Sequence, residues 1–215
     1  MSKIKMPRKS PSIDMTPMVD LFTLLLTFFM LTTSFKPTEA VIIDSPSSIS
    51  EKVVPENNIM TIYISKDNKI FFNLDNGADS SKHIRSKVLT EVGKQHNITF
   101  TEKELSEFEK MSSFGFPIEN MKDWINAEDN TAREKYNIGM PIDSADNQLH
   151  EWVLYTAFVF NQEGYRVEAA IKGDGLADYT TAKKVFDVLQ ENKLNKFSLT
   201  TNLEKVEINI SDFKK

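Results

Sequence analysis

One apolar run dominates the first part of the chain. Residues 16–35 read Thr-Pro-Met-Val-Asp-Leu-Phe-Thr-Leu-Leu-Leu-Thr-Phe-Phe-Met-Leu-Thr-Thr-Ser-Phe. A helix of about 20 residues rises 1.5 Å per residue and so matches a hydrocarbon core of roughly 30 Å. The pattern predicts a transmembrane helix over 15–35. Pro17 suits its first turn, where a missing N–H is harmless, and Lys36-Pro37 closes it. Residues 36–58 are rich in Pro, Ser, Glu and Asn, with a β-branched patch at Val41, Ile42 and Ile43. They read as an extended linker carrying one short strand.

The pattern changes period after the linker. Residues 59–65 are β-branched and partly alternating, 66–69 form a turn, and 70–74 return as a second strand. This is a predicted hairpin, with Phe71 and Phe72 on its two faces. Residues 79–149 are more polar and irregular. Helical spacing reappears over 81–95, where Ile84, Val88, Leu89 and Val92 share a face. Thr101 and Glu104 have the spacing of a capping box before Leu105, Phe108 and Met111. Phe114, Phe116, Met121, Trp124 and Ile125 are apolar anchors. Residues 145–161 are expected to be helical, with Leu149, Trp152, Val153 and Phe158 inward, and the stretch 153–160 is also compatible with a strand.

A strand over 165–171, a loop at 173–175, an amphipathic helix over 179–192 and a strand over 197–201 complete the pattern. Ala182, Val185, Phe186 and Leu189 form the inward face of that helix. Strand, helix and strand in this order imply a right-handed crossover with parallel pairing. The expected fold class is one N-terminal transmembrane helix plus a small external α+β domain, with a mixed sheet and helices on one face. The expected organisation is a basic tail over 1–14, the span over 15–35, the linker over 36–58, the domain over 59–203 and a tail over 204–215. No internal repeat is evident.

Within the apolar run one residue is out of place. Asp20 is ionisable, and a carboxylate at membrane depth costs on the order of 3 kcal/mol. On a helix advancing about 100° per residue, Thr16, Asp20, Thr23, Thr27 and Ser34 fall within roughly a 60° sector. The rest of the surface is mostly Leu, Phe, Met and Val. Such a stripe suits a protein-facing seam that holds water and relays protons. Two other readings stay open. Asp20 lies about one turn from the helix start and can cap it or reach the interface, and the whole segment can be a plain anchor. Threonine hydroxyls can also bond back to their own helix carbonyls.

Charge supplies the orientation. Residues 1–14 hold Lys3, Lys5, Arg8 and Lys9 against Asp14, a net of +3, so the chain's total of −5 leaves −8 for residues 15–215. Basic residues before a span keep that end cytoplasmic. The acidic remainder then lies outside, and it argues against nucleic-acid binding. A cleaved signal peptide is disfavoured by the length of the run, the lack of a small-x-small site and Asp20 itself. The absence of cysteine excludes disulfides, thiol catalysis and thiolate metal sites.

The remaining chemistry is sparse. His83, His96 and His150 have no metal-like spacing and read as surface histidines. Gly173-Asp174-Gly175 lacks the Lys-Ser/Thr of a phosphate loop and reads as a turn shaped by Asp174. Glu102, Glu104, Glu107 and Glu109 read as a solvated helix face. No nucleophile elbow accompanies the Ser, His and Asp residues, so no hydrolase is indicated. Val41, Ile42 and Ile43 are the best candidate for a partner contact, because an edge strand accepts or donates a β-strand; they can equally complete their own sheet.

Asp14, Thr16-Pro17 and Asp20 resemble the start of the membrane helix of the ExbD/TolR family, which carries an acidic residue, a Thr-Pro pair and an Asp three residues after the Pro. Residues 41–46, the hairpin to Asn73, and the closing block from Ile171 through Tyr179, Val185 and Leu189 to Thr201 are also similar to that family. Two features depart from it. Residues 79–149 are much longer than the corresponding stretch and look like an insertion, and the tail from Asn202 is slightly extended. The resemblance implies a non-enzymatic, cofactor-free subunit of a proton-driven inner-membrane motor, with its domain in the periplasm. Its partners would be a second copy in a homodimer, a pentamer of ExbB-like multi-span subunits, and a TonB-like protein that opens outer-membrane receptors. Protons would cross at Asp20, with Thr16, Thr23 and Thr27 lining the path. A TolR-like role in the Tol-Pal envelope system and a membrane-tethered periplasmic binding protein are the alternative readings.

Overall fold

The computed structural model describes residues 15–32, 43, 47–48, 57–77, 79–127, 129–143, 146–200 and 202–203. The basic tail, most of the linker, Val41, Ile42 and the C-terminal tail lie outside these residues. The chain divides into two compact units, residues 1–36 and 37–215.

The first unit contributes one helix, α1 (Thr16–Thr32), with every residue exposed. The Met15 carbonyl starts it by accepting from Met18 N–H and Val19 N–H, both at 3.1 Å. Among the described residues no helix is long and apolar enough to cross a membrane. At 17 residues α1 rises about 26 Å.

The second unit is α+β. Its short strand β1 (Ser47–Ser48) pairs in parallel with β6 (Asn202–Leu203). The main sheet has the order β3-β2-β4-β5, made of β2 (Ile59–Ile64), β3 (Ile70–Leu74), β4 (Glu168–Gly173) and β5 (Phe197–Leu199). β2 and β3 form the expected antiparallel hairpin, in register Ile62 with Phe72. β2 and β4 pair in parallel, as do β4 and β5, so the sheet is mixed. Helix α7 (Tyr179–Glu191) makes the crossover between β4 and β5.

Side-chain alternation decides which face is covered. Met60, Ile62, Ile64, Ile70, Phe72, Leu74, Ala169 and Ile171 point to one face and are buried there. Onto that face pack α2 (Ile84–Gln95), through Ile84, Val88, Leu89 and Val92, and α7, through Val185, Val188 and Leu189. Each fully buried side chain of this size contributes roughly 1.5–3 kcal/mol. Phe71 and Tyr63 point to the other face and pack with Ile43. Phe71 and Phe72 thus lie on opposite faces, as their adjacency in a strand dictates.

The polar stretch over 79–149 shares this core. It supplies α3 (Glu102–Lys110), α4 (Met121–Ile125) and α5 (Asn130–Glu134). Phe114 is the hub of its aromatics. Its ring centroid lies 4.7 Å from Trp152, 5.6 Å from Phe108 and 5.8 Å from Phe116, and Trp124 closes the group at 5.0 Å from Phe116. Trp152 belongs to α6 (Gln148–Gln162).

Three sequence expectations need correction. The strand predicted over 165–171 forms over Glu168–Gly173, because Tyr165 N–H is used by the Phe160 carbonyl at 2.9 Å. Phe158 is 48% exposed, while Thr156 of the same helix is fully buried. The acids of α3 are not one solvated face. Glu104 is buried in the capping box, and Glu109 is held by His83 and Ser86.

Candidate functional site

α1 carries the sequence-predicted stripe of Thr16, Asp20, Thr23 and Thr27. Helical spacing aligns the four, and all are exposed. Thr23 Oγ1 donates to the Val19 carbonyl at 2.8 Å, and Thr27 Oγ1 donates to the Leu24 carbonyl at 2.9 Å. Thr32 does the same toward Phe28 at 3.0 Å. These are the back-bonds that threonine forms when no other acceptor competes. With its hydrogen turned inward, such a hydroxyl presents only lone pairs to whatever packs on the stripe. It can accept a proton's hydrogen bond but must rotate to pass one on. Among the described residues no hydrogen bond or ion pair reaches the Asp20 carboxylate. The stripe therefore offers one carboxylate and, at Thr23 and Thr27, hydroxyl acceptors on a largely apolar rod.

The second predicted site was the partner-binding patch Val41, Ile42 and Ile43. Val41 and Ile42 lie outside the described residues. Ile43 is 8% exposed, is not part of a strand, and packs against Tyr63 and Phe71.

The two edges of the main sheet differ. Along β3, Phe72 N–H donates to the Phe114 carbonyl at 2.7 Å and Phe114 N–H returns to the Phe72 carbonyl at 2.9 Å. Met140 N–H donates to the Ile70 carbonyl at 2.9 Å, and Gly139 N–H donates to the Gly115 carbonyl at 2.8 Å. Gly115 makes this approach possible, since a Cβ there would lie 2.4 Å from Phe71 Cδ1 and 2.6 Å from the Ile70 oxygen. The segment over 79–149 thus covers the β3 edge with its own backbone. Among the described residues no strand pairs with the outer side of β5.

Sequence reasoning missed Arg85. It is 4% exposed on the first turn of α2. Nη1 donates to Asn73 Oδ1 at 2.9 Å and to the Leu74 carbonyl, and Nη2 donates to the Ser112 carbonyl at 3.0 Å. Its guanidinium stands 4.8 Å over the Phe108 ring. Burial lowers its pKa to about 10, against the opposing pull of Glu109 and Asp75. It remains a cation near neutral pH and ties the end of β3 to the loop after α3. Nothing in the sequence separates it from a solvated arginine.

The histidines pair with carboxylates. His83 Nδ1 lies 2.9 Å from Glu109, joining α2 to α3, and His96 Nε2 lies 2.6 Å from Glu151 on α6. Among the described residues no three His, Cys, Asp or Glu side chains gather as a metal site. Asp174 shapes its turn by accepting from Leu176 N–H at 3.0 Å.

A family model described as biopolymer transport protein ExbD/TolR matches residues 6–204. The chain belongs to the ExbD/TolR family. That match takes in α1 with its aspartate, the sheet, and the whole of the 79–149 segment. No individual characterised protein and no solved structure matches the chain. As an ExbD/TolR protein it is a membrane-associated component of biopolymer transport.

Proposed function

We propose that this chain is the ExbD-type subunit of an inner-membrane motor, in which protons crossing at Asp20 drive TonB-dependent transport through the outer membrane. One observation carries the reading: a carboxylate without a partner among the described residues lies on the only polar stripe of a helix whose Leu, Phe and Met side chains are all exposed. Such a helix needs an apolar surround, and the apolar run continues in the sequence to Phe35, completing a span of about 30 Å. The basic residues before it keep the N-terminus cytoplasmic and place the α+β domain in the periplasm. The surround of the stripe is a ring of ExbB-like subunits and a second copy of the helix. Family membership supports partners of the ExbB or TolQ and TonB or TolA kinds.

The chemistry is that of a carboxylate alternating between two environments. Desolvation favours its neutral form, and contact with water favours the charged one. A proton moving through the membrane potential delivers about 2.3 kcal/mol per 100 mV. The work is done by moving charge, with no covalent bond made in a substrate.

The test is energised outer-membrane uptake in cells carrying Asp20→Asn, with protein level and ring assembly followed in parallel. Asparagine keeps the shape and a hydrogen-bonding head but cannot cycle a charge. Uptake is expected to vanish while assembly persists. Full uptake would reduce Asp20 to a helix cap and remove the motor reading. The same cells scored for detergent sensitivity separate TonB-type from Tol-type service.

A further inference from the structure

The turn between β3 and α2 contains the one Asn–Gly step in the chain, Asn76–Gly77. We propose that Asn76 is a self-modifying site, at which the Gly77 backbone nitrogen closes on the Asn76 side-chain amide and converts it, with loss of ammonia, to an aspartyl or isoaspartyl residue.

A base and a hydrogen-bond donor flank the two reacting groups. Gly77 N–H donates to Asp75 Oδ1 at 3.1 Å, so a carboxylate is positioned to take the amide proton as the nitrogen attacks. Asp75 is itself held by β2, since Ile59 N–H donates to the same oxygen at 3.2 Å and Asp75 N–H donates to the Ile59 carbonyl at 3.1 Å. Burial raises the Asp75 pKa against the amides of Gly77, Ile59 and Asn58, which makes it a stronger base than a free aspartate. Its other oxygen, Oδ2, is buried with no hydrogen-bond partner among the described residues. On the electrophile's side, Arg85 N–H donates to Asn76 Oδ1 at 3.2 Å. Charge that gathers on that oxygen as the carbon turns tetrahedral meets a fixed donor in the first turn of α2.

The step balances without an oxidant. The Gly77 N–Cγ bond forms, the Cγ–Nδ2 bond breaks, and the proton from Gly77 passes through Asp75 to the departing amine. Water then opens the cyclic imide at either carbonyl, and Asn76 is half-buried, within reach of solvent.

The fold cannot discard either half of the pair. Gly77 has φ +77°, and a Cβ there would lie 2.8 Å from Ile84 Cδ1. Asn76 supplies the acceptor for Arg85 N–H that α2 otherwise lacks in its first turn. The labile step therefore persists for structural reasons. Conversion adds a negative charge beside Asp75. In its isoaspartyl form it also lengthens the backbone where the 79–149 segment leaves the sheet.

The experiment ages the purified full chain at neutral pH, folded and in urea, and follows each asparagine by peptide mapping with isoaspartate detection. Asn76 is expected to convert faster in the folded chain than in urea, and faster than Asn68 or Asn192. Asp75→Asn keeps an acceptor for Gly77 N–H but removes the base, and is expected to slow conversion about a hundredfold, the low end of what a positioned base contributes. The comparison in urea needs no variant and so stands even if Asp75→Asn fails to fold. Conversion no faster folded than in urea, or an Asp75→Asn chain that folds and ages at the parental rate, would overturn the proposal.

Discussion

Leu24, Leu25 and Phe28 on α1 are about as apolar as Ile62, Phe72 and Leu89 in the domain, yet the first three are exposed and the last three are buried. The domain finds a cover for its apolar face within its own chain, from α2, α6 and α7. α1 finds none. The same contrast holds for charge. Arg85 is buried with three oxygen acceptors around it, whereas Asp20 has no partner among the described residues. The domain closes its core within the described residues, whereas the surround proposed above for α1 comes from other subunits.

The largest expected effect separates the two regions outright. Trp152→Ala should cost the domain about 3–5 kcal/mol in a denaturant titration, because it removes the ring that Phe72, Phe108 and Phe114 pack on. Leu25→Ala should leave the domain's midpoint where it was, and a shared shift would show that the two regions are not independent. Next in size is Arg85→Met, which keeps the apolar stem but strands the Leu74 and Ser112 carbonyls and Asn73 Oδ1. A loss of about 3 kcal/mol is expected, and Arg85→Lys should recover only part of it, since one ammonium cannot span the three acceptors.

Thr101→Ala should cost about 1 kcal/mol through the cap of α3. Its partner gives the pH signature. Hydrogen bonds, first that from Thr101 N–H, hold the Glu104 pKa below its ordinary 4.5. A depressed carboxyl stabilises the fold fully above pH 4.5, and that stability is lost as pH falls through the lower folded value. Glu104→Gln should flatten this part of the acid limb, and an unchanged limb would remove Glu104 from the account. The smallest effect is Phe158→Ser, within about 0.5 kcal/mol, because the side chain is already on the exposed face of α6.

The hairpin, the faces of α2 and α7, the capping box and the parallel crossover were all legible, because each depends on local period or a short motif. What escaped depends on contacts made across the fold. Thr156 takes an inward position on α6, and a polar residue there conceals the helix phase that Phe158 seemed to mark. Arg85 looks like any surface cation until β3 and Ser112 close around it. The edge-sealing role of Phe114 and Met140 requires pairing over long separations, which no window of sequence displays. At the candidate site the alignment of Asp20 with the threonines followed from helical spacing alone. The inward turn of the Thr23 and Thr27 hydroxyls was one of the readings left open.

Ile43 pins the chain ahead of β2 onto the second face of the sheet. In chain order this side chain precedes every strand of the domain, so a pull from that side would load it first. There the load is shared between Tyr63 on β2 and Phe71 on β3. These two residues sit opposite each other in the hairpin register, so the pull is carried across the ladder by both strands together. Withdrawing one isoleucine from that grip, at roughly 1.5–3 kcal/mol, would bare both rings at once while leaving the ladder between the two strands intact.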